Sequence, residues 1–309
     1  MPSTSTAVRP AYRPYAAEVV RVERVSPHFV RVTFTAEDFE HFGTARRDQR
    51  VKLVLPHADG SISDIGQHEA AGDWYDRWRS LHPADRNVFR TYTVRRVDPD
   101  ARELDVDFVT HHDAGPAGSW ADRARVGQRL VVVGPDARSP FAHTGFDWHP
   151  GTARRVLLAG DETAVPGIAG ILESLGPEYD ADVFIEVPSA ADVLKLPHGP
   201  RVRITWLARG ERAHGAALIE ALTSWTASHR HVLARAAAPR RQKLADIDVD
   251  LELLWDSPED GEGEFYAWIA GEAATVKTLR RLLVTGHGVD RKRVAFMGYW
   301  RLGQAERIE

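Results

Sequence analysis

The chain has 309 residues, a formal charge of -4 and no cysteine. The missing thiols exclude disulfides, thiolate nucleophiles, cysteine-held zinc and all-cysteine iron–sulfur clusters, so any electron transfer needs a borrowed carrier. With 40 Lys and Arg against 44 Asp and Glu, no basic field recruits nucleic acid, and at about 150 residues per domain the length suggests two domains.

The first half reads as β. Val20, Val22, Phe29, Val32 and Phe34 sit among charges, with a turn at Ser26–Pro27. A second apolar stretch runs from Val51 to Pro56. The segment from His57 to Asn87 is polar, carries Trp74 and Trp78, and reads as a long loop with a short helix, placed to act as a lid or rim. Strand signals return in VFRTYTVRRV and ELDVDFVTH; in the latter Leu104, Val106 and Phe108 alternate with Asp105 and Asp107. After GPAGSWADRARVGQRL comes LVVVGP. No long amphipathic helix precedes about residue 160, which points to a small antiparallel barrel or sandwich.

The pattern changes near Gly151. RRVLLAG leads into the helix candidate DETAVPGIAGILESLG; ADVFIEVP and RVRITWLARG follow. A helical stretch from about His214 to Ala237, the strand FYAWIAGE, a helix from Ala273 to about Thr285 and the strand VAFMGYW complete the chain, with a short strand at Leu251–Trp255. This alternation is that of an open, mostly parallel α/β sheet. In such sheets ligands bind at the carboxyl ends of the strands. The polar start lacks a secretory signal, and no segment is apolar over the roughly 20 residues of a membrane span. A soluble, cytoplasmic protein is the expectation, as a monomer.

Five segments carry chemistry. In Arg90–Arg95, RTYTVR, a tyrosine ring suits a flat conjugated ligand, threonines offer hydroxyls, and arginines pair with phosphate. In HHDAGPAGSWA, Gly118 to Trp120 would open a short helix whose N–H groups face an anion. The adjacent His111 and His112 lack a third ligand and point to opposite faces of a strand, so no metal is expected. GDETAVP follows the first strand of the sheet without being a GxGxxG or P-loop; Asp161 and Glu162 there suit capping and first-turn charge. WIAGEA and GYWRLG are further strand ends. No paired carboxylates or nucleophile–base pair stands out, so no catalytic side chain is assigned.

Together these segments resemble the siderophore-interacting protein family: bacterial flavin-containing ferric-siderophore reductases of the ferredoxin-reductase superfamily. RTYTVR resembles its flavin signature, DFVTHHDAGPAGSWA its pyrophosphate segment, and GDETAVPGI, WIAGEA and GYWRLG its second-domain motifs, in the family's order from about Tyr15 to Gly303. The resemblance implies an N-terminal six-stranded antiparallel β-barrel binding FAD (15–145) and a C-terminal α/β domain receiving NADH or NADPH (152–309), with ferredoxin as an alternative donor. It implies that Arg90, Tyr92 and Thr93 hold the flavin, and that His111, Ala117, Gly118, Ser119 and Trp120 serve its adenine-diphosphate half. Asp161, Thr163, Ala164, Gly271 and Glu272 would line the nicotinamide side. Lys52 and Arg138 would attract an anionic ferric siderophore, and Arg209, read as a surface residue, would meet a 2′-phosphate. The implied activity is NAD(P)H-dependent reduction of a ferric siderophore for iron acquisition; the alternatives are a general NAD(P)H–flavin oxidoreductase and a non-enzymatic siderophore-binding module. The segment from His57 to Asn87 is longer than a minimal barrel of this type requires.

Overall fold

A computed structural model describes residues 9–43, 47–110, 115–249, 251–259 and 263–304. The chain divides into two compact units: Met1–Val25 with Phe29–Phe146, and Ser26–His28 with Asp147–Glu309.

The first unit is a closed antiparallel barrel of six strands. These are β1 (Tyr12–Ser26), β2 (Phe29–Thr35), β3 (Arg50–Val54), β4 (Phe89–Asp98), β5 (Glu103–Val109) and β6 (Arg129–Pro135), in the order β1-β2-β5-β4-β3-β6. Strand β5 shows how the alternation builds it. Leu104, Val106 and Phe108 are fully buried in a core with Val32, Phe34, Leu53 and Val132. The opposite face is not left to water: Asp105 and Asp107 are buried as well. Thr33 Oγ1 donates to Asp105 at 2.7 Å and Arg96 Nε at 3.0 Å, while Arg31 holds Asp107 through two bonds of 2.7 and 2.9 Å. Cross-strand partners thus shield the carboxylates and satisfy their charge.

The polar segment between β3 and β4 is a packed layer rather than a loose loop. It contains α1 (Trp74–Ser80) and a 3-10 turn at Pro83–Asp85. Trp78 is buried, donates its indole N–H to Asn87 O at 2.9 Å and meets the Phe89 ring edge-on at 5.0 Å. Asn87 ties the chain in turn: its amide donates to Leu55 O at 3.0 Å and Ser61 O at 3.1 Å. Val54, Ile65, Trp78, Phe89, Val131 and Val133 form a second core. Since Leu53 and Val132 face inward, their neighbours Val54, Val131 and Val133 point outward, and this core lies on the outside of the barrel. A short helix, α2 (Pro116–Ala121), lies between β5 and β6.

The second unit is a six-stranded sheet in the order β10-β12-β11-β7-β8-β9. Its strands are β7 (Arg155–Gly160), β8 (Asp180–Val187), β9 (Val202–Ala208), β10 (Trp255–Asp256), β11 (Phe265–Glu272) and β12 (Val294–Trp300). All neighbours run parallel except β10, which is antiparallel to β12. The connections carry α3 (Val165–Ser174), α4 (Ala216–Ser228), α5 (Arg230–Arg235) and α6 (Ala273–Arg280). Every residue of β11 is buried, as expected of a strand with parallel neighbours and covered faces. The helix expected to reach Thr285 is α-helical to Arg280 and then widens into a π-helical turn, Arg281–Gly286. The strand expected at Leu251–Trp255 is reduced to Trp255–Asp256. Among the described residues, no helix is long and apolar enough to cross a membrane.

Candidate functional site

In the barrel, β4 pairs with β3 over Phe89–Thr93 and with β5 from Val94 onward, with a register shift between Val94 and Arg96. Arg90, Thr91 and Tyr92 stay half-buried in mid-strand, whereas Thr93 and Val94 are buried. The Tyr92 ring lies 4.5 Å from that of Phe108, which lies 5.8 Å from Trp120 of α2. Phe108 thereby joins two predicted segments, the β4 motif and the Ala117–Trp120 turn. Arg90 Nη1 donates to Phe89 O at 2.8 Å. Lys52, opposite Thr91 in the ladder, donates from Nζ to Thr91 Oγ1 at 2.6 Å.

In α2, Ser119 N–H donates to Gly115 O at 2.9 Å, and the buried Ala117 and Gly118 precede that bond. Trp120 Nε1 is buried without a hydrogen-bond partner. A donor left this way costs about 1–3 kcal/mol, which an acceptor on a bound dinucleotide would offset. A half-exposed strand bearing a ring, hydroxyls and a guanidinium, joined to a turn with an orphaned indole N–H, fits a flavin dinucleotide. His111 lies outside the described residues.

Arg138 keeps its side chain 32% exposed but is held in an ion pair. It binds Asp136 through Nε at 2.9 Å and Nη2 at 2.6 Å, beside Arg13, whose Nε reaches the same carboxylate at 2.9 Å. Burial would raise the Asp136 pKa, but the Arg138 hydrogen bonds and the two guanidinium charges bring it down to about 2. The cation expected at a substrate mouth is also a member of the barrel's own ion-pair network.

In the second unit, the ends of β7, β11 and β12 converge on Asp161. Its carboxylate accepts from Thr163 N–H at 2.9 Å, Thr163 Oγ1 at 2.5 Å, Glu272 N–H at 2.7 Å and Trp300 Nε1 at 2.8 Å. Gly271, at φ +144, is pressed so close that a Cβ there would lie 2.6 Å from Asp161 Oδ2. The close approach that this glycine permits is made toward the chain's own carboxylate. Glu272 caps α6, accepting from Thr275 N–H at 2.8 Å and Thr275 Oγ1 at 3.1 Å. Ala164 is fully buried in the same turn.

Arg209 departs from its expected role. It is buried, not on the surface, and chelates Glu162 at 2.9 and 3.0 Å while reaching Glu186 at 3.3 Å. With both carboxylates engaging it, the guanidinium is a buried structural counterion rather than the surface cation expected for a 2′-phosphate. Glu186 also accepts Gly215 N–H at 2.8 Å and Leu218 N–H at 3.1 Å, fixing the start of α4. The sequence did carry a signal for Glu186, since an acid inside the apolar run VFIEV needs a buried partner. His214 joins the cluster from the turn before α4, edge-on to Trp300 at 5.1 Å, with Nδ1 buried and without a partner. Burial first, then the Arg209 charge, lower its pKa and favour the neutral ring. Among the described residues, no group of three or more His, Asp or Glu is arranged to hold a metal.

Asp161 makes stability depend on pH. Burial, then the Glu162 carboxylate, push its pKa from 3.8 up to about 7, against the Thr163, Trp300 and Glu272 bonds. Between these values the folded chain keeps a proton that the unfolded chain has released, so this residue's contribution to stability falls as pH rises through the window. Asp161→Asn has no such proton. The melting temperature of the variant minus that of the native chain should therefore rise from about pH 4 to about pH 7 and then level off. A difference that stays flat across the window would refute this assignment.

Residues 18–139 match the family model of the siderophore-interacting FAD-binding domain, and residues 153–303 match that of the siderophore-interacting protein. The chain belongs to the siderophore-interacting protein family. A relative in Mycobacterium tuberculosis, itself uncharacterised, is 33% identical over 309 residues, covering 95% of this chain and 92% of that protein. Ferric vibriobactin reductase ViuB of Vibrio cholerae is 29% identical over 293 residues, covering 95% of this chain and 91% of that one. The crystal structure of a siderophore utilization protein from T. fusca superposes with a TM-score of 0.68 at 28% identity, over 96% of this chain and 95% of that one. In this siderophore-interacting protein the barrel is thus the FAD-binding part, and the Asp161 cluster belongs to the part covered by the second family model.

Proposed function

We propose that this siderophore-interacting protein is an NAD(P)H-dependent ferric-siderophore reductase, with FAD held by residues 15–145 and the donor received by residues 152–309. The observation that carries the reading is the half-exposed Arg90–Tyr92 strand, joined through Phe108 to the orphaned indole of Trp120, in a chain that also carries a parallel sheet. Bound FAD supplies the chemistry that no side chain here has, accepting a hydride and passing single electrons to ferric iron. The residues do the holding. Tyr92 offers its ring to the flavin, Thr93 and Ser119 offer hydroxyls, Arg90 offers a guanidinium to phosphate, and Trp120 donates its indole N–H. At the sheet, Asp161 fixes the ends of β11 and β12, so that the Gly271–Glu272 turn presents a rigid edge to the nicotinamide. No side chain needs to act as a general base, because a hydride leaves with its own electron pair. Lys52 draws an anionic ferric chelate, an attraction that weakens as salt screens it. The name of the Vibrio cholerae relative, a ferric vibriobactin reductase, supports this substrate class. NADH, NADPH or ferredoxin would supply electrons in the cytoplasm.

The test is a visible spectrum under anaerobic conditions. The purified protein should be yellow, bleach on addition of NADH or NADPH, and recolour on addition of a ferric siderophore. Flavin that neither donor bleaches would overturn the nicotinamide role. Recolouring by free flavin but not by ferric chelates would favour the general flavin reductase.

A further inference from the structure

We infer that His214 is a positioning residue for the nicotinamide donor, bracing the Trp300 indole that holds Asp161 and, through it, the Gly271–Glu272 turn. The inference rests on the reductase reading and adds a pH-dependent control to that same site.

The backbone behind His214 is pinned. Gly215 has φ +76 and lies so close to α6 that a Cβ there would collide with Thr275, the residue that Glu272 caps. Its N–H donates to the buried Glu186 at 2.8 Å. From this fixed point the His214 ring meets Trp300 edge-on, at 5.1 Å and 80°. Trp300 ends β12 and is only half-buried. An indole at a strand end needs a second contact to keep one orientation, and His214 supplies it. Trp300 Nε1 then donates to Asp161 Oδ2 at 2.8 Å, and the same oxygen accepts Glu272 N–H at 2.7 Å. The ring thus acts on the turn through Trp300 and Asp161, without touching it.

The brace works with a neutral ring. Nδ1 is buried without a partner, so a proton placed there finds no acceptor. Charge reaches the ring from every side: Arg209 just after β9, Glu162 from the turn after β7, Glu186 from β8 and Glu272 from the end of β11. On its own turn, Arg212 is engaged by Glu220 at 2.7 Å. Burial and then Arg209 disfavour the protonated ring, against the pull of the three carboxylates. A protonated His214 gains water only by swinging away from Trp300. The order of the donor seat therefore falls on the acid side of pH 6.5, below the window in which Asp161 titrates.

Two readouts test this on the full chain. In anaerobic stopped flow with saturating NADH, reduction of the bound flavin should slow below pH 6.5. His214→Ala should be about tenfold slower even at about pH 8, the scale of a misplaced donor. His214→Phe keeps an aromatic edge but takes no proton. It should restore the rate to within about twofold of native and lose the acid slowing, while any change near pH 7 belongs to Asp161 and stays. Melting curves need neither donor nor flavin. The Trp300 bond favours the Asp161 carboxylate. In the His214→Ala background, the pH at which the Asp161→Asn difference levels off should therefore move up by about half a unit to one unit. His214→Phe should not move it, and in a Trp300→Phe background His214→Ala should shift it no further. Acid slowing that is missing from the native chain or survives in His214→Phe, or a levelling point that ignores the loss of the ring, would overturn the brace. If the levelling point moves but neither NADH nor NADPH reduces the flavin, the brace stands and the reductase reading falls.

Discussion

Arg209→Leu should destabilise the chain by about 3–5 kcal/mol, because it strands two buried carboxylates whose shared counterion is gone. Glu162 is 3% exposed and Glu186 is fully buried, so water cannot replace the guanidinium. Chemical denaturation near neutral pH should show the loss as a lower midpoint with little change in slope. Donor kinetics give the second readout. With Arg209 confined to the carboxylates, the ratio of KM values for NADPH and NADH should be the same in variant and native enzyme. A rise confined to NADPH would restore the phosphate-binding role.

Gly271→Ala should be nearly as damaging, by about 2–5 kcal/mol. Two independent costs act at this site: a backbone at φ +144 that side chains rarely adopt, and a methyl group 2.6 Å from Asp161 Oδ2. Relief would require Asp161 to move away from Glu272 N–H and Trp300 Nε1, opening the ends of β11 and β12. We expect lower thermal stability and slower flavin reduction by nicotinamide in stopped flow, with FAD content unchanged in the purified protein. A variant with native melting and native reduction rate would show that the turn has room to adjust.

The parts of the molecule that could be read from sequence are those governed by local period. The alternation of Leu104, Val106 and Phe108 identified a barrel strand, and the short apolar runs after Gly151 identified the parallel sheet. What local pattern could not show was which partner a polar group would find. Arg209 follows a strand, as a surface arginine would, but its carboxylates lie 47 and 23 residues away along the chain. Asp105 and Asp107 alternate as solvated residues do, yet threonine and arginine from neighbouring strands cover them. In the His57–Asn87 segment the short helix was legible but its packing was not, for the same reason: Trp78 acquires its role only once Phe89, Val131 and Val133 surround it. At the candidate site, the strand and turn motifs could be picked out from their residue types. Which partners Glu186 and Trp300 would find, and the place of His214 against Trp300, came from tertiary contacts that no spacing encodes.

The second core has a consequence for descent. Its four strand positions, Val54 on β3, Phe89 on β4 and Val131 and Val133 on β6, are apolar because the segment around α1 covers them. A descendant that shortened this segment would leave an oily, aggregation-prone patch on three strands. Segment length and side-chain polarity at those four positions are therefore one inherited character, and in any lineage of this barrel they should change together.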